Sequence, residues 1–193
     1  MKKERLVAFT DAVLAIIMTI LVLELEKPSS PTLSALWELR YGFFSYALSF
    51  FWLGSMWVNI HNEWEAVERI NTKILWANLV LLFSCSMIPY ATDFVSKNFN
   101  NKVAQSFYGC CVILVSLSNI CLSKFLEDEH NQENSSTEKI ITRKRLLWID
   151  VFVKFLGLSM TATVYPPAMM YSVILSEIFL MIGITQFFDY SQE

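Results

Sequence analysis

Long apolar runs separated by short polar segments dominate the hydropathy pattern of this chain. A helix that crosses a bilayer needs about 20 mostly apolar residues. Six segments meet this requirement, at residues 6–25, 41–60, 74–92, 103–123, 146–165 and 168–188. The pattern predicts an all-α integral membrane protein in which residues 1–193 form a single domain with six transmembrane helices.

Two adjacent prolines divide the last apolar segment into two predicted helices. Residues 146–188 are apolar over a length sufficient for two spans, and Pro166-Pro167 lies between them. Proline removes a backbone donor and breaks a helix interior, so we expect a tight turn at this point. Asp150 and Lys154 then lie four residues apart on one helical face, where they can pair, and Glu177 lies inside the sixth span.

The composition supports a membrane protein and argues against other classes. The chain is 54% hydrophobic and 17% charged, whereas a soluble domain holds about 25% charged residues. Much of the charge falls in 124–145, which we expect to be an exposed loop or a frayed helix extension. No basic patch with interleaved aromatic residues indicates a nucleic-acid partner. The four cysteines lie in apolar runs and are expected to be small packing residues.

Loop lysines and arginines predict the orientation of the spans. Most of them precede the first span, separate the second from the third, or separate the fourth from the fifth. The positive-inside rule then predicts a multi-pass protein of the cell membrane with both termini in the cytoplasm. The apolar run from Leu6 is longer than the core of a signal peptide and contains Asp11, so we expect the first helix to be retained.

Motifs for catalysis and cofactor binding are missing from the sequence. The five glycines do not cluster into a phosphate-binding loop, and there is no TVGYG-type loop, the carbonyl filter of ordinary potassium channels. The histidines, cysteines and carboxylates show no metal-ligand spacing. We therefore expect neither an enzyme nor a bound cofactor.

The first span carries an acid in its interior and an apolar stripe on one side. At about 100° per residue, four side chains form one stripe, in which the other three lie within about 60° of the first. They are Ile16, Thr19, Ile20 and Leu23. Asp11 lies about 140° from Ile16 and so points toward whatever packs behind the helix. A carboxylate within a span needs a partner, and the candidates are Arg5, His61, Asn78, Trp52 and Trp57.

The sequence resembles the transmembrane protein 175 family, the lysosomal potassium channels and their bacterial relatives. The run Arg5-x-x-x-Phe9-Thr10-Asp11 is similar to the family's Arg-x-x-x-Phe-Ser-Asp signature, with threonine in place of serine. The second span ends in WVNIH and the third reads LWANLVLLFSCSMIPY, similar to the family's Trp and His and its Asn and Pro-aromatic pattern. Trp57 precedes His61 by four residues, where the family pattern has three. The resemblance covers residues 4–92.

The resemblance implies a potassium-permeable cation channel that assembles as a homotetramer, with the first helix lining a central pore. Ile16 takes the hydrophobic constriction and Thr19 the hydroxyl layer, the two positions at which permeating potassium is expected, while Ile20 and Leu23 continue the lining. A second set is implied to anchor this helix to the second and third spans through a buried polar network. It consists of Arg5, Phe9, Thr10, Asp11, Trp57, His61 and Asn78. The expected partners are other copies of the chain, membrane lipids and potassium ions.

Two other classes of function stay open at this point. A proton-conducting or proton-coupled transporter of the same fold could use acids and a histidine within the spans as a relay. These are Asp11, His61, Asp150 and Glu177. The third class is a membrane protein that conducts nothing, either an accessory protein or an enzyme without a recognisable motif. Only a pore predicts that a change of bulk in the Ile16 stripe alters ion flow without altering the fold.

Overall fold

Eight helices make up the part of the chain that the structure describes. The computed structural model describes residues 2–65, 67, 69–130 and 137–189, with side chains at 2–64, 67, 69–129 and 145–180. The helices are α1 (Lys3–Leu23), α2 (Leu33–Glu38), α3 (Arg40–Glu65), α4 (Thr72–Ser86), α5 (Ile88–Lys97), α6 (Lys102–His130), α7 (Thr137–Thr163) and α8 (Ala168–Asp189). The fold is all-helical, as the hydropathy pattern predicts.

Within the described residues, five helical segments are long and apolar enough to cross a membrane. They are Lys3–Leu23, Arg40–Trp64, Thr72–Lys97, Lys102–Glu129 and Arg145–Thr163. A shorter apolar helix, Ala168–Leu180, follows them where the sixth span is predicted. The chain is therefore a multi-pass membrane protein.

Several helices continue past the apolar runs that predict them. The fourth span was expected at 103–123, but α6 extends to His130, and α7 begins at Thr137, ahead of the predicted 146. An apolar run ends where charged residues begin. The helix itself can continue beyond that point, because its backbone hydrogen bonds also form where its side chains are polar and in water. Much of the 124–145 connector is therefore helix extension, the second of the two forms expected for it.

Proline determines two of the breaks between helices. The third predicted span is interrupted at Met87, where α4 ends and α5 begins with Pro89 in its first turn, where no helical donor is needed. The predicted break at Pro166-Pro167 is confirmed, because α7 ends at Thr163 and α8 begins at Ala168. Thr161 closes this second turn, donating to Pro166 O at 3.0 Å and accepting from Met169 N at 2.9 Å.

The α6 helix is central, since it packs against α3, α4, α5, α7 and α8. Buried hydroxyls join it to two of its neighbours: Ser49 on α3 lies 2.8 Å from the Thr92 hydroxyl on α5 and 3.1 Å from the Tyr108 hydroxyl on α6. In contrast, α1 packs against α3, α4 and α5 on one side only. Its position at the margin of the bundle leaves one of its faces free for contacts outside the subunit.

Candidate pore helix and its polar anchors

The two faces of α1 differ sharply in burial. Leu6, Leu14, Ile17 and Leu21 are buried in the core of the subunit. The Ile16 stripe lies on the other side: Ile16 is 57% and Leu23 is 78% exposed, Thr19 is exposed and Ile20 is half-buried. The stripe is therefore directed away from the subunit core, to where a lipid or another copy of the chain would meet it.

Thr19 presents an oxygen on this exposed face. Its hydroxyl donates to the carbonyl of Ile16, with 2.8 Å between Oγ1 and O. A threonine hydroxyl has one hydrogen and two acceptor sites, so the use of the hydrogen within the helix leaves acceptor sites for an outside partner. The group is suited to a cation and offers no hydrogen that would repel one.

Thr10 attaches the buried face of α1 to α4. Its Oγ1 accepts a hydrogen bond from Asn78 Nδ2 at 2.8 Å and donates to Leu6 O at 2.9 Å. Both side chains are buried, Thr10 at 1% and Asn78 at 0% exposure. A buried hydrogen bond of this kind holds two helices in a fixed register, because breaking it would leave two buried polar groups without each other and without water as a replacement partner.

Asp11 attaches α1 to α3 near the surface of the subunit. Trp57 Nε1 donates to Asp11 Oδ1 at 2.8 Å, and the Trp57 ring lies against the His61 ring with centroids 5.7 Å apart. The Trp57–His61 contact therefore forms at a spacing of four residues. Asp11 is half-buried and Trp57 is 37% exposed, so this second anchor is less shielded than the first.

Arg5 and Phe9 lie apart from these two anchors. Both are exposed, Phe9 to 49%, and no contact described for them joins them to the set. The prediction of one buried network that includes these two side chains therefore does not match their position. At about 100° per residue, Arg5 and Phe9 fall within about 20° of Ile16. Extending the helical wheel by two turns could have indicated their place on the exposed face.

A second polar cluster lies among α3, α6, α7 and α8. The predicted pair is confirmed, since Lys154 Nζ lies 2.7 Å from Asp150 Oδ1. The same ammonium donates to Ser116 Oγ at 2.8 Å and lies 4.9 Å from the centre of the Trp52 ring. Glu177 pairs with Ser55 in the same region. Sequence reasoning did not bring Ser55, Ser116 and Glu177 to this pair, although each is a polar residue within an apolar span.

Side chains that could coordinate a metal ion are not grouped together in the described residues. No three of their His, Cys, Asp and Glu side chains are grouped so that they could hold a metal ion. The Ile16 stripe itself presents one hydroxyl, that of Thr19, and aliphatic groups.

The fold and these contacts define an all-helical, multi-pass membrane protein with one helix held by polar anchors at the margin of the bundle. A family model described as "Endosomal/lysosomal potassium channel TMEM175" matches residues 5–89. A potassium channel of Chryseobacterium sp. (strain P1-3) is 35% identical over 166 residues, which cover 86% of this chain and 85% of that relative. The chain belongs to the TMEM175 family of potassium channels, which confirms the resemblance.

More distant relatives agree with this assignment. A potassium channel of Streptomyces collinus (strain DSM 40733 / Tue 365) is 27% identical over 122 residues, which cover 59% of each chain. The crystal structure of a lysosomal potassium-selective channel TMEM175 homolog from Chamaesiphon minutus superposes with a TM-score of 0.72 at 22% identity. The match covers 94% of this chain and 97% of the homolog, so the two proteins share the same fold throughout.

Proposed function

We propose that this chain forms a potassium-permeable cation channel in which copies of α1 surround the pore, with Ile16 at the constriction. The observation that carries the proposal is the exposed stripe on a helix whose opposite face is anchored by Thr10 and Asp11. Several large aliphatic side chains at one level can close a pore by excluding water. No carbonyl filter takes part, so selectivity falls to the Thr19 hydroxyls and is modest.

The assembly that fits this function is a homotetramer in the cell membrane, with six spans per chain and both termini in the cytoplasm. One α1 face cannot enclose a pore alone, whereas a closed ring of copies presents the same face to a common axis. The exposed Arg5 and Phe9 then lie on the side of α1 that faces its copies. Lipids cover the outer aromatic side chains, which are exposed on the subunit, and no cofactor or enzymatic activity is part of the proposal.

Ion flux through proteoliposomes tests the position of the constriction. Ile16→Ala and Ile16→Asn should increase potassium flux down a gradient, because they widen the constriction or make it easier to wet. Val22→Ala and Val22→Asn are the matched controls, since Val22 is an exposed aliphatic residue, 48%, on the same helix but outside the stripe. Equal effects at both positions, or no flux from well-folded wild-type protein, would contradict the proposal.

The Thr19 hydroxyl is the proposed source of the preference for potassium. Thr19→Val has almost the same shape and lacks the oxygen, so the ratio of potassium to sodium flux should fall toward one. Thr19→Ser keeps the oxygen and should keep the ratio. The two variants are compared in the same flux assay under equal gradients of either ion, and an unchanged ratio in Thr19→Val would remove Thr19 from the selectivity layer.

A proton-conducting or proton-coupled transporter of the same fold is the second candidate. The buried carboxyl groups of Asp150 and Glu177 favour it. Such a protein would dissipate a pH gradient in the absence of potassium, and its flux would saturate if transport were coupled. A channel of the first kind would instead carry potassium whether or not a pH gradient is present, so both gradients are imposed separately on the same vesicles.

A further inference from the structure

A polar cavity lies inside the bundle, between α3, α6, α7 and α8. Its volume is about 30 Å³, and a site with about 10–15 Å³ open to a water centre can hold a water molecule. Polar side chains from all four helices line it, and they are Ser55, Asn59, Ser116, Asn119, Asp150, Lys154 and Glu177. None of them belongs to α1, so the cavity is separate from the Ile16 stripe.

The charges in this cavity do not balance unless one carboxyl is neutral. Lys154 is fully buried and is held by both oxygens of Asp150 at 2.7 Å, which makes a neutral pair. Glu177 adds a second carboxyl group, 9% exposed, and the other side chains that line the cavity in the described part of the chain are uncharged. A buried carboxylate without a counter-charge is expensive enough that it takes up a proton instead.

Ser55 lies between a backbone carbonyl and the carboxyl group of Glu177. Its hydroxyl is placed to donate to the carbonyl of Trp52 at 3.1 Å and also to Glu177 Oε1. A hydroxyl has a single hydrogen and cannot donate along both directions. A protonated Glu177 fits this contact, because its carboxyl hydrogen can bond Ser55 Oγ while the Ser55 hydrogen stays on the Trp52 carbonyl.

The side chain of Asn119 has a buried oxygen that a water molecule in the cavity could satisfy. It is 7% exposed and lines the cavity, and its Oδ1 has no hydrogen-bond partner among the described residues. A buried amide oxygen without a donor is costly. One water in the cavity can donate to this oxygen and accept from a second polar group, which satisfies the usual minimum of two partners.

We propose that Glu177 is a proton-binding site, occupied at neutral pH, and that a water in the cavity connects its carboxyl group with Asn119 and with the Asp150–Lys154 pair. Among the described residues, the ionisable groups that face Glu177 are Asp150 and Lys154 of α7, whereas α3 and α6 contribute neutral hydroxyls and amides. The site goes beyond ion permeation along α1, because it gives each subunit a group within the membrane whose charge can change.

Infrared spectroscopy of the reconstituted wild-type protein tests the proposal directly. A protonated carboxylic acid has a carbonyl stretch distinct from that of a carboxylate, and this band should be present at neutral pH and shift in heavy water. Glu177→Gln should remove it and Glu177→Asp should shift it. Glu63→Gln is the matched control, since Glu63 is the other buried glutamate of the described residues, and it should leave the band in place. Absence of the band in the wild type, or its persistence in Glu177→Gln, would overturn the assignment.

The charge balance gives a second test that does not depend on substituting Glu177. In Asp150→Asn the buried ammonium loses its counter-ion, so Glu177 should become the carboxylate that neutralises it and the acid band should disappear at neutral pH. A band that survives Asp150→Asn in folded protein would contradict the charge argument. Neither measurement uses ion flux, so the proton site and the proposed channel activity can fail separately.

Discussion

Thr10→Val tests how strongly the buried anchor holds α1 against α4. The change keeps the shape of the side chain and removes the hydroxyl that accepts from Asn78 Nδ2 at 2.8 Å. The Leu6 carbonyl keeps its backbone donor within the helix. Asn78, by contrast, loses its described bond, and its Oδ1 already has no partner among the described residues. The cost is therefore that of an unsatisfied buried amide.

The size of this cost follows from the burial of the two groups. An unpaired buried donor costs about 1–3 kcal/mol, and hydrogen bonds between membrane helices have coupling energies of about 0.6 kcal/mol on average and at most about 1.7 kcal/mol. Because both side chains are at most 1% exposed, we expect a loss of about 1–2 kcal/mol in the free energy of unfolding. That corresponds to roughly a five- to thirtyfold change in the folding equilibrium constant.

Unfolding in mixed micelles, followed by tryptophan fluorescence, measures this change. Thr10→Ser is the control, because it keeps both hydrogen bonds and loses only a methyl group, about 0.8 kcal/mol. Asn78→Leu combined with Thr10→Val removes both polar partners and should recover much of the loss. Strictly additive effects in this double-mutant cycle, or a cost for Thr10→Val no larger than for Thr10→Ser, would refute the anchoring role of the pair.

Two further substitutions test the second anchor and the close approach of α7 to α8. Trp57→Phe removes the donor to Asp11 and should lower the free energy of unfolding by about 0.5–1.5 kcal/mol, while the ion preference in the flux assay stays unchanged; a changed preference would place Asp11 in the ion path. Gly157→Ala should destabilise by about 1–3 kcal/mol through overpacking, because an added methyl group would collide with Ser172. Gly54→Ala is its control in thermal melts, since that methyl group would lie 3.5 Å from its nearest neighbour, and equal melting temperatures for both would contradict the packing argument.

The α1 helix has one face buried in the core and an apolar face that remains exposed. Its buried face contributes four leucine and isoleucine side chains to the core, while large aliphatic and aromatic groups stay exposed on the opposite face. On a membrane-spanning helix, such a face meets lipid or another protein chain. Two anchors of unequal burial then fix the rotation of the helix, the inner one against α4 and the outer one against α3.

The sequence could predict some of the functional contacts because they depend on local spacing. Asp150 and Lys154 are four residues apart on one helix, so their pairing follows from helix geometry alone. Trp57 was a candidate partner of Asp11 because few polar side chains are present in the apolar spans. Asn78 was a candidate for the same carboxylate, but it bonds Thr10, one residue and about 100° around the helix from it. Which of these two adjacent acceptors Asn78 reaches depends on how α1 is rotated against α4. Residue spacing along the chain does not specify that rotation.

By itself, the sequence determined that the chain is a helical membrane protein, that Pro166-Pro167 separates two helices, and which stripe of the first helix is apolar. These properties depend on hydropathy and on backbone chemistry, which act within a few turns of the chain. Only the tertiary structure decided that this stripe is the exposed face of α1 and that α6 is the central helix. It also brought Ser55, Asn119 and Glu177 to one cavity. Such neighbours are far apart in sequence, and their contact depends on how whole helices pack, because burial is a property of the assembled bundle.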